Sequence, residues 1–338
     1  MVKQKKTMKM KKIYIGLTLA MMIVALLALS FAGCGPKADY KIGAIQVAPH
    51  PALDSAYNGF KDELTELMAG KGQTVNFTIE NAYGEFSNNS TIANKYVSQN
   101  VDMIYALGTP SAQAAKNATS TIPILFNAVT DPVDPATKLL TNAKKPEGNV
   151  TGCSDAAPIN QQLDLLVKLS PQTEEVIAVV YNKDEPNSAI QANQVKAYCE
   201  DKGYKFEYQT VSGNITDLEQ CFIKLKQLGA TGIYLPTDNL LAENIKTVKN
   251  FNEAHTRVPI VCGESGMTEG CGVATIGLDY YELGKMAAKM AFDYLENGKK
   301  IEELPVLTQT ENFAKVIFKD NADGIGLTIP EDVLAEFE

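Results

Sequence analysis

"IYALGTP" spans Ile104–Pro110 and "IYLPTDN" spans Ile233–Asn239. Each is an apolar run that ends in a small polar cluster opening a helix, so the chain writes the same local phrase twice. The repetition extends outward. "KIGAIQV" from Lys41 is matched by "EVIAVVYN" from Glu175, each a compact apolar run suited to a buried parallel strand and each followed by apolar residues at helical spacing. "VTGCSDAAPINQQLDLLVKL" from Val150 is matched by "VATIGLDYYELGKMAAKMAF" from Val273, which sets Thr275 and Asp279 where Thr151 and Asp155 stand. Matched residues lie roughly 124 to 136 positions apart, far beyond a solenoid period and right for a whole lobe. Strand-like and helix-like stretches alternate throughout, which predicts an α/β protein of two homologous, doubly wound, Rossmann-like lobes. The 338 residues are enough for two such domains.

A net charge of -9, with positive charge crowded into the first dozen residues, leaves an acidic body and argues against nucleic acid as a partner. "MVKQKKTMKMKK" followed by "IYIGLTLAMMIVALLALSFAG" has the basic and apolar regions of an export signal. The run also has the length of a transmembrane helix, so an uncleaved anchor is the alternative. Ala32-Gly33-Cys34 resembles a bacterial lipobox, in which Cys34 is acylated; Phe31 departs from the small aliphatic residue usual there. Either way the body is expected outside the cytoplasm and attached to a membrane, through a lipid on Cys34 in the favoured reading. The other five cysteines form no zinc-type cluster, so no metal and no cofactor is expected. Cys262 and Cys271 are the nearest pair, and buried free thiols are the simpler alternative to a disulfide.

In doubly wound sheets ligands bind outside the carboxyl ends of the strands. Those ends carry the candidate ligand-binding residues: Pro51 and Ala52; Thr109, Pro110 and Ser111; Asp131; Ser154 and Asp155; Asn182, Glu185, Asn187 and Ser188; Thr237, Asp238 and Asn239; and Glu264. Asp131, Asp155, Asp238 and Glu264 suit an ammonium group, with helix capping as the alternative use. Thr109, Ser111 and Thr237 stand before helices, where hydroxyls and free N–H groups suit a carboxylate. Tyr57, Phe86, Phe126, Tyr181, Tyr280 and Tyr281 are candidates for an apolar wall. Enzyme chemistry is not expected. His50 and His255 sit in no metal motif, "GESG" lacks the last glycine of a nucleophile elbow, no glycine-rich phosphate loop follows the first strand, and "KDNADG" breaks the calcium-loop spacing.

The segments "HPALDSAYNGF", "TPSAQAAKNAT", "PILFNAVTDPV", "GNVTGCSD", "YNKDEPNSAIQ", "YLPTDN" and "GLDYYELGKMAAKM" occur in order and resemble the substrate-binding proteins of ABC importers with the type I periplasmic-binding fold. More narrowly, they resemble the subfamily associated with tryptophan and related aromatic amino acids. The resemblance implies a chain that crosses three times between lobes, with each crossover helix docking on the opposite lobe. It divides the chain into a signal peptide over 1–33, a tether over 34–40, a first lobe of 41–152 with about 278–303, and a second lobe of 153–277 with about 304–338. It also implies closure of the lobes on an amino acid, delivery to ABC permease subunits, and action as a monomer. The alternatives are a sensor or receptor ectodomain of the same fold, or a transporter receptor for a sugar or nucleoside; the absence of Trp speaks mildly against a sugar.

Overall fold

The computed structural model describes residues 38–169, 171–311 and 313–337. The apolar leader, Cys34 and the tether up to residue 37 lie outside the described residues. The body opens with β1 (Tyr40–Gln46), α1 (Pro51–Ala69), β2 (Val75–Asn81), α2 (Phe86–Ser98), β3 (Met103–Leu107), α3 (Thr109–Ala118), β4 (Ile124–Asn127) and β5 (Val150–Ser154). There follow α4 (Ile159–Leu169), β6 (Val176–Asn182), α5 (Pro186–Lys202), β7 (Lys205–Val211), α6 (Leu218–Gln227) and β8 (Gly232–Leu235). Next come α7 (Asn239–Glu243), α8 (Ile245–Phe251), β9 (Ile260–Cys262), α9 (Ser265–Cys271), β10 (Ala274–Gly277) and α10 (Tyr280–Leu295). The chain closes with β11 (Leu307–Thr308), β12 (Ala314–Ile317), α11 (Lys319–Ile325) and α12 (Glu331–Glu336).

The first sheet is parallel, in the order β11-β5-β4-β3-β1-β2, and the second runs β7-β6-β8-β9, also parallel. The twin phrases therefore occupy equivalent strands, β3 and β8, each between the first and fourth strands of its lobe. Every residue of β3 is buried: Met103, Tyr105 and Leu107 join the core beneath α1, while Ile104 and Ala106 join the core against α2 and α3. Side chains alternate across a strand, so a strand covered on both faces reads as an unbroken apolar run. The second lobe repeats this, with Ile177 and Val179 on the α4/α5 side and Ala178 and Val180 on the α6 side.

Three passages join the lobes. After β5 the chain leaves the first sheet, and α4 packs in the core of the second lobe. After β10 it returns as α10, which packs against α1. β11 then pairs with Cys153–Ser154, and β12 pairs antiparallel with β10. The first passage thus follows Ser154 and the last follows Thr308, two and about five residues beyond the expected limits, because strand pairing holds those residues in the first sheet. The contact of α1 with α10 is backbone to backbone: a Cβ on Gly59 would lie 2.1 Å from Tyr281 O, and one on Gly284 2.1 Å from Ala56 O.

The stretch "NLLAENIKTVKNFNEAH" forms no continuous helix but is broken into α7, α8 and a π-helical turn over Asn252–Thr256. Asn244 interrupts it, with φ -109° and ψ 25° and with its side-chain amide donating to Leu240 O at 2.9 Å. Asparagine competes in this way for backbone groups that would continue a helix.

Candidate ligand-binding cleft

The carboxyl ends of both sheets face one another around a tight interior space of about 20 Å³. Three helices start there, and each presents a polar residue at its start and an apolar one a turn later: His50 and Leu53 on α1, Asn239 and Ala242 on α7, Glu264 and Met267 on α9. Residues three apart share a helix face. Ala128, Asp155, Asn187, Thr237, Asp238 and Tyr280 complete the lining. Ala128 follows β4 with φ 57°, a left-handed backbone that alanine adopts only under constraint. Its N–H donates to Asn127 Oδ1 at 2.7 Å, and the Asn127 amide is held by Tyr105 Oη and Leu283 O.

Two acidic groups approach the space. On one side Asp155 accepts from Thr130 Oγ1 at 3.1 Å and from Tyr280 Oη at 2.8 Å. Burial pushes its carboxyl up, against the pull of those two bonds. Glu264 caps α9 by accepting the N–H groups of Gly266 and Met267 at 2.5 and 2.6 Å. Burial raises it to about 7 despite the cap bonds, and the nearby Asp155 charge adds to the rise. On the other side Asp238 caps α7 through Leu241 N and accepts Asn182 N at 2.6 Å and the Ser188 hydroxyl. Burial, then the charge of Glu185, pushes it up to about 7. Glu185 itself accepts the N–H groups of Asn239 and Leu240, both at 3.1 Å. Among the described residues around the space none is lysine or arginine. Buried carboxylates without a counter-charge are costly, and a cationic group entering the space would offset that cost.

Among the described residues, His50 Nδ1, Thr109 Oγ1 and Asn187 Oδ1 are buried without a protein hydrogen-bond partner. Buried polar atoms are nearly always paired, and here the exceptions fall at the cleft: two belong to its lining, and Thr109 directly follows Gly108, whose Cβ position lies 3.7 Å from Asn239 Oδ1.

Of the residues singled out from sequence, Asp155, Asn187, Thr237, Asp238, Asn239 and Glu264 line the space. Asn182, Glu185 and Ser188 stand behind them, bonded to the lining. Ser154 donates to Thr130 O, and Ser111 is directed away to Asn89 Oδ1 at 2.7 Å. Asp131 is outside the lining and caps its own turn through the N–H groups of Val133 and Asp134, a local use that competes with ligand binding. Pro51 is exposed, Ala52 packs in the core and Pro110 is half-buried; His50 and Leu53 take the places expected of the α1 pair. Of the aromatic wall candidates only Tyr280 lines the space. Phe126 is core, Tyr57 packs beside it, Phe86 is exposed, Tyr181 packs on the second lobe, and Tyr281 bonds Asp62 on the surface. Of the missed residues, His50, Leu53, Ala242 and Met267 carry one usable signal, the polar-then-apolar spacing at each helix start, and Ala128, which follows β4, carries none.

Among the described residues no group of His, Cys, Asp and Glu is arranged to hold a metal ion, and no helix is long and apolar enough to cross a membrane. The five cysteines from Cys153 onward are buried and free, with Cys262 and Cys271 sulfurs 4.0 Å apart.

The lobes touch directly. His50 Nε2 lies 3.3 Å from Asn239 Oδ1, and Gln191 Nε2 donates to Thr130 Oγ1 at 3.2 Å. Two α/β lobes joined by three passages and closed over buried polar side chains define a protein that captures a small solute between them. Residues 41–338 match the family model for ABC transporter substrate binding proteins, and the chain belongs to that family of extracytoplasmic receptors. It is 37% identical over 277 residues to a tyrosine-binding protein of Clostridioides difficile, covering 81% of this chain and 78% of that one. A solved ABC domain in complex with L-Trp from Streptococcus pneumonia is 32% identical, with TM-score 0.79 over 88% of this chain and 98% of that one. The ligand-free, open structure of a Clostridium difficile substrate-binding protein with adhesive properties is 33% identical, with TM-score 0.65 over 87% of this chain and 97% of that one. At nearly equal identity the likeness is greater to the L-Trp complex than to the open form, in agreement with the contacts between lobes.

Proposed function

We propose that this protein captures a free aromatic amino acid outside the cytoplasm and hands it to the permease of an ABC importer. The observation that carries the reading is the pairing of buried acids, with no lysine or arginine in the described lining, with apolar residues one helical turn away. In this reading Asp155 and Glu264 receive the α-ammonium group, with Asp238 as a further buried acid of the lining. The Thr109 hydroxyl and the first turn of α3 receive the carboxylate, and Leu53, Ala242 and Met267 pack on the side chain. The tyrosine-binding and L-Trp-bound relatives support an aromatic ligand. The protein acts as a monomer without catalysis, and a lipid on Cys34 tethers it to the membrane.

The test is a thermal-shift panel on protein freed of co-purified ligand by unfolding and refolding, with tryptophan, tyrosine, phenylalanine, leucine, ribose, galactose and nucleosides. A ligand at 100 times its dissociation constant stabilises by about 2.7 kcal/mol. Stabilisation by an aromatic amino acid is expected; stabilisation by a sugar or nucleoside alone would overturn the reading. Anchoring is tested separately: Cys34→Ala should release the protein from membranes or leave it as an unprocessed precursor, and unchanged mass with membrane retention would point to an uncleaved helix.

A further inference from the structure

His50 immediately precedes α1 and is 8% exposed, and burial pulls its imidazole down to about 4, so the ring is neutral at neutral pH. A neutral imidazole has one N–H and one bare nitrogen, and a neighbour decides which is which. Here the neighbour is Asn239, whose Oδ1 faces His50 Nε2. The amide is held in that orientation because Asn239 Nδ2 donates to Glu185 Oε2 at 2.5 Å. Glu185 is fixed in turn by the N–H groups at the start of α7. The carboxylate thus orients the amide, the amide carbonyl accepts a hydrogen bond from the Nε2–H, and Nδ1 is left as a bare acceptor. Nδ1 is buried and has no partner in the protein.

Its position says which part of a ligand it meets. His50 shares a helix face with Leu53, and Asn239 shares one with Ala242, so the acceptor stands among the apolar residues of the lining. Asp155 is near enough to Glu264 to raise its proton affinity, and Asp155 is bonded to Tyr280. An α-ammonium seated at His50 would leave that acidic pair without a cation. We propose that His50 Nδ1 accepts a hydrogen bond from the side chain of the bound amino acid, so that the site selects an aromatic ring bearing an N–H or O–H over phenylalanine. The inference rests on the aromatic amino acid reading above.

The experiment is isothermal titration of the full chain in detergent, stripped of ligand, with tyrosine, tryptophan and phenylalanine. Sites that hydrogen-bond a ligand donor reject the analogue lacking it strongly, so tyrosine or tryptophan should bind at least about 100-fold tighter than phenylalanine. His50→Leu should bring the three affinities to within about threefold while phenylalanine binding persists, and His50→Gln, which keeps an acceptor, should restore part of the gap. Nitrogen NMR of wild-type His50 should report an Nε2–H ring whose Nδ1 resonance moves on binding the ring-donor ligand and not on binding phenylalanine. Equal wild-type affinity for all three, or equal loss of all three in His50→Leu, overturns this inference and leaves the amino acid reading standing. Failure of every amino acid to bind overturns both.

Discussion

The phenolic oxygen of Tyr280 stands 2.8 Å from Oδ2 of Asp155, so the residue where the chain first leaves the first lobe is bonded to the one where it comes back. The other oxygen of Asp155 takes Thr130, and Thr130 takes the amide of Gln191 from the second lobe. A polar chain therefore runs from the hinge, past the ligand space, into the facing lobe. The acid proposed to hold the ligand is also held by the elements that bring the lobes together.

Tyr280→Phe keeps the ring and deletes only the donor. Leaving a buried acceptor short of a partner costs about 1–3 kcal/mol, so ligand affinity should fall roughly 5- to 100-fold with a lower melting temperature. Calorimetric titration beside a melting curve checks this. Lost stability with unchanged affinity would reduce Tyr280 to a structural role.

Glu264 gives a pH dependence with a definite sign. Its folded-state carboxyl is pushed up to about 7 from an ordinary value of 4.5, so the folded protein holds the proton more tightly than the unfolded chain. The associated stability is fully present below about 4.5 and is lost as pH rises through about 7. His50, lowered to about 4, acts oppositely over part of that window, so the clean quantity is the difference between wild type and Glu264→Gln. Without ligand, that difference should move in favour of the variant between pH 5 and pH 8, a window on the order of the folded and unfolded values. Saturating amino acid should reverse it, because the ammonium group stabilises the charged carboxylate. A pH-independent difference in melting temperature would remove Glu264 from the ammonium site.

The fold was legible because it is written twice: β3 and β8 share a phrase, and burial on both sheet faces turns each strand into an apolar run. The acids Asp155, Asp238 and Glu264 were legible because each follows a strand end. What sequence could not separate was capping from ligand binding. Asp131 and Asp238 each follow a threonine beyond a strand, yet Asp131 bends back on its own loop while Asp238 is buried in the lining. The difference lies in neighbouring elements of the same lobe: Asn182 N–H and the Ser188 hydroxyl reach Asp238, partners far enough away in sequence that the local phrase does not announce them. His50 was hidden for a related reason: its role comes from Asn239, far away in sequence.

Gly284 and Gly59 make a steric prediction independent of the ligand. Each would place a Cβ 2.1 Å from a backbone oxygen of the opposing helix, and backbone cannot swing aside as a side chain can. Gly284→Ala should force α10 away from α1 at a cost of about 1–3 kcal/mol or more, read as a lower denaturation midpoint with an unchanged slope. Wild-type stability for this variant would show that the two helices have slack.

Gln191 should govern closure. Its Nε2 donates to Thr130 Oγ1 across the cleft at 3.2 Å and to Thr237 Oγ1 within its own lobe at 2.5 Å, while its Oε1 takes the Thr237 N–H at 3.1 Å. The bond to Thr130 exists only when the lobes meet, so it favours the closed state, and apparent affinity scales with the fraction of molecules able to close. Gln191→Leu keeps a comparable volume and removes every polar contact. Small-angle scattering should show wild type contracting at saturating ligand and the variant contracting less, with affinity roughly 10- to 100-fold weaker for a loss of about 1.4–2.8 kcal/mol. Thr237→Val leaves the bond between Gln191 and Thr130 while removing the Thr237 hydroxyl, which bonds Gln191 and also meets Thr130 Oγ1 across the cleft at 3.4 Å. If Gln191→Leu contracts fully and binds as tightly as wild type, the amide serves packing within the second lobe, and closure is set by other contacts between the lobes, such as His50 with Asn239 and Thr130 with Thr237.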